Sequence, residues 1–199
     1  MSISVEYNNR EINQIVIENI LKMLERRKVI DSWEDKIKKI SAEDFINKSN
    51  FELDKIGIYL VNAKLTTIAQ GHPLDVYLSN NLDIHKIIIA KDVAKKVVKQ
   101  IANDYKNAEF FFESEMLEDI PSKIFIPKHE IIIDDERKEI LDKFSEAEHG
   151  RIFLTDPMSR YYGAKIGDII KITRPSITGG KNIYYRRVVN SSWDILFEK

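Results

Sequence analysis

Residues 156–176 read DPMSRYYGAKIGDIIKITRPS, and the parsing of that stretch decides the fold of the C-terminal third. Asp156 before Pro157 is a helix start: the carboxylate can accept a free backbone N–H, and proline fits the first helical position, where no N–H is needed. Gly163 closes the short helix, and Gly167 permits a second tight bend that a Cβ would hinder. DIIKITRPS then reads as a strand with Ile169, Ile170 and Ile172 toward the core. NIYYRRVV (182–189) reads as a second strand, and the turn ITGGK joins the two. Gly179 and Gly180 lie between strands rather than between strand and helix, which fits a hairpin and not a phosphate loop.

Working upstream, DDERKEILDKFSEAE is expected to be a helix opened by Asp134, Asp135 and Glu136, followed by a loop, SEAEHGRIFLT. Pro121 and Pro127 each force an extended predecessor, and the composition changes there, so a domain boundary is placed near 121. This predicts an α/β domain over 1–120 and a small α+β domain over 121–199 with a short extra tail at 190–199.

In the first domain, residues 10–28 carry Ile12, Ile15, Val16, Ile20, Met23 and Leu24 at helical spacing. Ser41 is expected to cap a short helix, AEDFINK. KIGIYLV (55–61), LDVYLS (74–79) and HKIIIAK (85–91) are rich in β-branched and aromatic residues and read as strands. The unbroken Ile87-Ile88-Ile89 run suits a strand covered on both faces. DVAKKVVKQIANDY (92–105) reads as a helix capped by Asp92, with Val93, Val97, Val98 and Ile101 inward, and AEFFFESEML (108–117) as a further strand or two half-strands. Strands alternating with helices indicate a small α/β domain.

Composition sets the outer bounds. The 199 residues are 43% hydrophobic and 32% charged, enough for a packed core. A net charge of −1 gives no whole-protein cationic footprint for nucleic acid. The absence of cysteine excludes a disulfide framework, thiolate metal sites and cysteine nucleophiles. The N-terminal residues show no signal-peptide pattern, no apolar run approaches the ~20 residues that span a bilayer, and the chain is expected to be soluble.

Two constellations invite a chemical reading. Asp75, Asp83 and Lys86 imitate the acid and acid-x-Lys arrangement of a metal-dependent nuclease. Asp83 falls in a turn-like stretch, though, and a solvated turn between strands is the simpler reading. His129 with Asp134, Asp135 and Glu136 lacks the spacing for a shared helix face, and His72, His85 and His149 stand isolated in the sequence. No serine or threonine has a visible base. The second constellation is segment 156–189, where Arg160, Lys165, Lys171, Arg174, Lys181, Arg186 and Arg187 leave a local charge of about +5 against Asp156 and Asp168. Tyr161, Tyr162, Tyr184 and Tyr185 are interleaved. Such a mixture suits phosphate and base binding, a protein interface, or merely solvated strands, and the residues alone leave all three open.

The ordered blocks IPKHEI (126–131), DPMSRYYGAKIGDIIKITRPS and NIYYRRV (182–188) resemble the C-terminal domain of the fifth subunit of eukaryotic RNA polymerases, whose archaeal counterpart consists of that domain alone. The upstream element order is similar to the eukaryotic jaw domain. The resemblance implies a noncatalytic polymerase subunit without cofactor or metal of its own. Its C-terminal domain would be anchored on the largest subunit with the sixth subunit nearby, and the jaw would help hold the channel by which downstream double-stranded DNA enters. Partner contacts are implied for Lys128, His129, Arg160, Tyr161, Lys171, Arg174, Ser176, Tyr185 and Arg186. Where the family carries Thr-Pro-Ser-Ala near DNA, this chain has AKDVAKK (90–96), so Lys91, Lys95 and Lys96 become the DNA-proximal candidates. The family's Leu-Pro loop is replaced by the shorter SEAEHGRIFLT, and the tail NSSWDILFEK has no family role. The implied location is the nucleus, or a cytoplasmic virus factory and virion for a copy carried by a large DNA virus. No homo-oligomer is expected.

Overall fold

Asn8 opens the first helix with a reciprocal cap: its Oδ1 accepts the Glu11 N–H at 3.0 Å, and Glu11 Oε2 accepts the Asn8 N–H at 2.9 Å. This is seen in a computed structural model that describes residues 8–53, 55–80, 83–143, 150–176 and 179–197. The chain divides into two compact units, residues 1–118 and 119–199.

In unit 1, helix α1 (Asn9–Arg26) buries Val16, Ile17, Ile20, Leu21, Met23 and Leu24. Two short helices follow, α2 (Trp33–Ile37) capped by Ser32 and α3 (Asp44–Asn47). Ser41 does bond at the start of α3, its Oγ accepting the Asp44 N–H at 3.3 Å, but the helix is shorter than AEDFINK suggested. Strands β1 (Asn50–Leu53) and β2 (Ile56–Val61) come next, then α4 (Pro73–Ser79), β3 (His85–Ala90), α5 (Lys95–Asp104), β4 (Ala108–Phe112) and α6 (Glu113–Met116). The sheet order is β1-β2-β3-β4; β2, β3 and β4 are parallel, and β1 is antiparallel to β2. Helices α4 and α5 are the crossovers between parallel strands. Ile87, Ile88 and Ile89 are all buried, as a central parallel strand requires.

Three expectations for this unit need correction. Residues 74–79 form helix α4, not a strand. Pro73 sits at its first position, His72 Nδ1 accepts the Leu74 N–H at 3.2 Å, and Leu74 and Leu78, one turn apart, supply its buried side. Asp92 does not cap α5; its backbone C=O accepts the Leu65 N–H, its carboxylate lies 3.0 Å from Lys64 Nζ, and the helix begins three residues later. The 108–117 stretch is one strand and then helix α6, whose entry is fixed by the Phe112 N–H donating to Glu115 Oε2 at 2.8 Å.

In unit 2, a 3-10 turn (Ile120–Ser122) leads to β5 (Lys128–Ile132), α7 (Asp134–Lys143), β6 (Gly150–Phe153), α8 (Pro157–Tyr161), β7 (Ile169–Ser176), β8 (Gly180–Val189) and a final 3-10 turn (Trp193–Phe197). The strand order is β5-β7-β8-β6, antiparallel except for the parallel pair β6 and β8. Strand β6 corrects the reading of 145–155 as a loop: Ile152 pairs with Val188 and is buried. Residues 144–149, including His149, and Ile177 and Thr178 of the hairpin turn lie outside the described residues. Ile169 joins Ile132 and Ile140 of α7, while Ile170 and Ile172 join Ile152, Ala164 and Val188, so the sheet has a small apolar layer on each face. Asp156 Oδ1 caps α8 at Met158 N, 2.9 Å away, and Gly163 and Gly167 have φ of 66° and 92°. The tail folds back: Ser191 Oγ lies 2.8 Å from Thr155 Oγ1, and Trp193, Leu196 and Phe197 are half-buried.

Candidate functional site

Side chains alternate across a sheet, so register decides which of the candidate residues share a face. In unit 2, Lys128 pairs with Thr173, and Lys171 with both Glu130 and Tyr185, which puts Lys128, Lys171 and Tyr185 on the α7 side. Lys171 Nζ donates to Glu136 Oε1 of α7 at 2.8 Å, and that bond raises the lysine's pKa. Lys128 Nζ lies 2.7 Å from Glu130 Oε1. The other face carries His129 opposite Ile172, Ile172 opposite Tyr184, Ile170 opposite Arg186, and Arg174 opposite Asn182.

On that second face Arg174, Asn182, Tyr184 and Arg186 reach solvent. The Arg174 guanidinium stands 5.8 Å from the centroid of the Tyr184 ring. Arg186 Nη1 donates to the Arg151 carbonyl at 3.3 Å. His129 is buried beside them, its Nδ1 2.7 Å from the Pro127 carbonyl. Burial lowers the His129 pKa, and the charges of Arg174 and Arg186 add to that, against the Pro127 carbonyl and Asp156. Arg160 and Tyr161, on α8, are buried within the unit, and Tyr161 packs edge-on against Tyr162. Ser176 ends β7, and its Oγ accepts the Gly179 N–H at 3.2 Å. The candidates thus fall into an exposed set (Lys128, Arg174, Arg186), a half-buried set (Lys171, Ser176, Tyr185) and an interior set (His129, Arg160, Tyr161).

In unit 1, Lys91, Lys95 and Lys96 are exposed at the carboxyl end of β3 and the first turn of α5. A parallel bridge between Leu65 and Val93 brings Lys64 to the same place. Among the described residues no side chain caps α5 at Ala94, so its positive dipole end adds to the lysines. This edge can hold phosphate oxygens. Lys64 was not legible in the sequence, because only the bridge places it there.

Asp75 and Lys86, two of the nuclease candidates, are held by different partners. Asp75 Oδ2 accepts the Gly71 N–H at 2.9 Å and its Oδ1 accepts the Tyr105 hydroxyl at 2.8 Å; these bonds lower its pKa. Lys86 is buried, and its ammonium donates to the carbonyls of Leu78 and Asn80. Asp83 lies in the turn before β3. Among the described residues no group of three or more His, Asp or Glu could hold a metal ion. The side chain of Asp134, in the other metal candidate, lies outside the described set. His72 and His85, isolated in the sequence, have neighbours: His72 caps α4, and His85 Nε2 lies 2.9 Å from Glu109 Oε1. No helix is long and apolar enough to cross a membrane among the described residues.

The sequence also passed over a tip. Ile124 and Phe125 sit in the turn before β5 and are 99% and 73% exposed. A Pro-flanked Ile-Phe pair was the available signal.

The sequence pattern described as RNA polymerase Rpb5, C-terminal domain, matches residues 118–188. Similar proteins include subunit rpabc1 of DNA-directed RNA polymerases I, II and III from Dictyostelium discoideum, 26% identical with 90% of this chain and 99% of that protein covered. Another is DNA-directed RNA polymerase subunit 5 of Acanthamoeba polyphaga mimivirus, 28% identical with 92% and 94% covered. Subunit Rpo5 of Nitrosopumilus maritimus is 47% identical over 72 residues, which are 35% of this chain and 87% of that protein. The chain belongs to the Rpb5 family of RNA polymerase subunits.

Proposed function

We propose that this chain is a noncatalytic subunit of a multisubunit DNA-directed RNA polymerase, anchored by unit 2 and reaching toward downstream DNA with unit 1. One observation carries the reading: relatives named as polymerase subunits align along both units, while the short archaeal relative aligns over 72 residues alone. Unit 2 then serves as the assembly module, with the largest subunit as its partner and a sixth-subunit homologue adjacent. Arg174 and Arg186, together with Lys128, supply the exposed cations. Lys171 and Tyr185 stiffen the opposite face through Glu136 and α7. His129, Arg160 and Tyr161 act from the interior, by shaping the backbone that presents Arg174 and Arg186.

Unit 1 takes the jaw role. Lys91, Lys95 and Lys96, joined by Lys64, meet phosphates of downstream duplex DNA, so contact is independent of sequence and sensitive to salt. Alone, the chain binds DNA with a Kd no tighter than roughly 10 µM at physiological salt, a nonspecific affinity. It works where its polymerase works: the nucleus in a cellular setting, or the cytoplasmic factory and virion in a viral one.

The test is to tag the chain in its native cells and identify what copurifies. One-to-one recovery with the two largest polymerase subunits is expected. A chain recovered alone, never with that enzyme, overturns the reading.

A further inference from the structure

We infer that the Ile124–Phe125 tip and the adjoining end of β7 form a cationic apolar notch that receives an acidic, apolar segment of another protein chain. The inference rests on the polymerase-subunit reading and adds to it a place and a partner chemistry.

The notch follows from two prolines. Strand β5 pairs with β7 only as far as Lys128 and Thr173. Beyond that point Pro127 and Pro175 have no N–H to donate, and the ladder stops. Strand β7 continues along β8 to Ser176, so its β5-side edge is open at Arg174 and Pro175. The chain before β5 turns away instead: the Ile126 N–H donates to the Lys123 carbonyl at 2.9 Å. Ile124 and Phe125 are the two central residues of that turn. A cavity of about 380 Å³ lies between this tip and β7, lined by Ile124, Phe125, Ile126, Pro127, Arg174 and Pro175.

Turn tips ordinarily carry Gly, Asn, Asp or Pro, which suit the backbone and face water without cost. An Ile-Phe pair there gains nothing from the turn and loses by hydration. Two large apolar side chains 99% and 73% exposed, with the Tyr184 ring 47% exposed on β8, mark an apolar surface built for cover. The charges nearby select the cover. Lys123 Nζ stands 5.9 Å from the Phe125 ring centroid, and Arg174 lines the notch while stacking on Tyr184. Among the described residues no carboxylate lines the notch. A partner with carboxylates flanking an aliphatic or aromatic side chain satisfies both features, and a nucleic acid satisfies only the cations.

The test places a photo-crosslinking amino acid at Phe125 in the tagged full chain and irradiates cells carrying it. Expected is a crosslink to a polymerase subunit, at a peptide bearing Asp or Glu beside an apolar residue. A crosslink to DNA, to a neutral or basic peptide, or within the chain itself overturns the inference. So does the lack of any crosslink in a chain that still copurifies with polymerase. In parallel, Phe125→Asp and Arg174→Glu should each lower recovery with polymerase tenfold or more, the loss expected of an anchor residue, while the thermal midpoint stays unchanged because both sites are exposed. Wild-type copurification with unaltered variants sinks the notch alone; failure of the wild type to copurify sinks the polymerase reading.

Discussion

The buried ammonium of Lys86 donates to the carbonyl oxygen of Leu78 at 2.7 Å, tying strand β3 to the last turn of helix α4. The Asn80 carbonyl accepts from the same group. A cation at a helix C-terminus satisfies carbonyls that the helix cannot, and it meets the negative end of the dipole. Lys86→Met keeps the length and removes the donors. We expect a loss of about 1.5–3 kcal/mol, the range for hydrogen bonds to charged groups, read by urea denaturation of the full chain.

Glu109 gives unit 1 an acid-sensitive clasp. Both Nη atoms of Arg27 donate to its carboxylate, at 2.9 and 2.8 Å. His85 Nε2 is also 2.9 Å away, close enough to act by its charge although it is not aligned for a hydrogen bond. Burial pushes the Glu109 pKa up, yet His85 and Arg27 outweigh it and bring it down from 4.5 to about 2. A carboxyl depressed by folding contributes stability that is complete above its unfolded value and is lost as pH falls through its folded value. The denaturation midpoint should therefore decline between pH 4.5 and about 2. Glu109→Gln should flatten that decline, and an unchanged slope contradicts the assignment.

Gly57 faces the Tyr77 hydroxyl so closely that a Cβ at 57 would overlap it. That hydroxyl is buried with no hydrogen-bond partner among the described residues. Gly57→Ala should cost about 1–3 kcal/mol through overpacking. Tyr77→Phe removes the overlapping atom and should restore part of the loss in the double variant. Strict additivity of the two changes refutes the close approach.

Asp156→Ala removes the cap of α8 and should destabilise unit 2 by about 1 kcal/mol. Asp156→Asn should retain most of that stability. Thermal melts of the three proteins check it.

Asp75 separates the nuclease reading from ours. A nuclease predicts plasmid nicking with Mg²⁺ that Asp75→Ala abolishes. We expect no nicking by the wild-type chain. We expect the variant to melt earlier, because the Gly71 N–H and the Tyr105 hydroxyl lose their acceptor.

Arg174→Glu with Arg186→Glu should leave folding intact and abolish incorporation into polymerase. Lys91→Ala, Lys95→Ala and Lys96→Ala together should leave incorporation unchanged and lower the salt dependence of DNA binding by the polymerase, by about 0.9 in log–log slope for each phosphate no longer neutralised.

Strong local chemistry made much of this molecule readable. The Asp156-Pro157 start, the Ile87–Ile89 run and the helical spacing from Ile12 to Leu24 each act over a few residues, and all three appear as expected. Residues 74–79 misled, because Val76, Tyr77 and Leu78 suit a strand by type. Pro73, the His72 cap and the carbonyl bonds from Lys86 made them a helix. Strands β1 and β6 were missed since four residues carry little pattern, and they exist only through pairing with β2 and β8.

For function, the sequence alone determined the family-bearing motifs and the supply of cations and tyrosines in 156–189. Tertiary structure decided which of them reach solvent. Alternation sends neighbours to opposite faces, so Lys171 joins α7 while Arg174 reaches solvent, and α8 folds Arg160 and Tyr161 inward. That sorting depends on register between strands distant in the chain, and no local propensity encodes it.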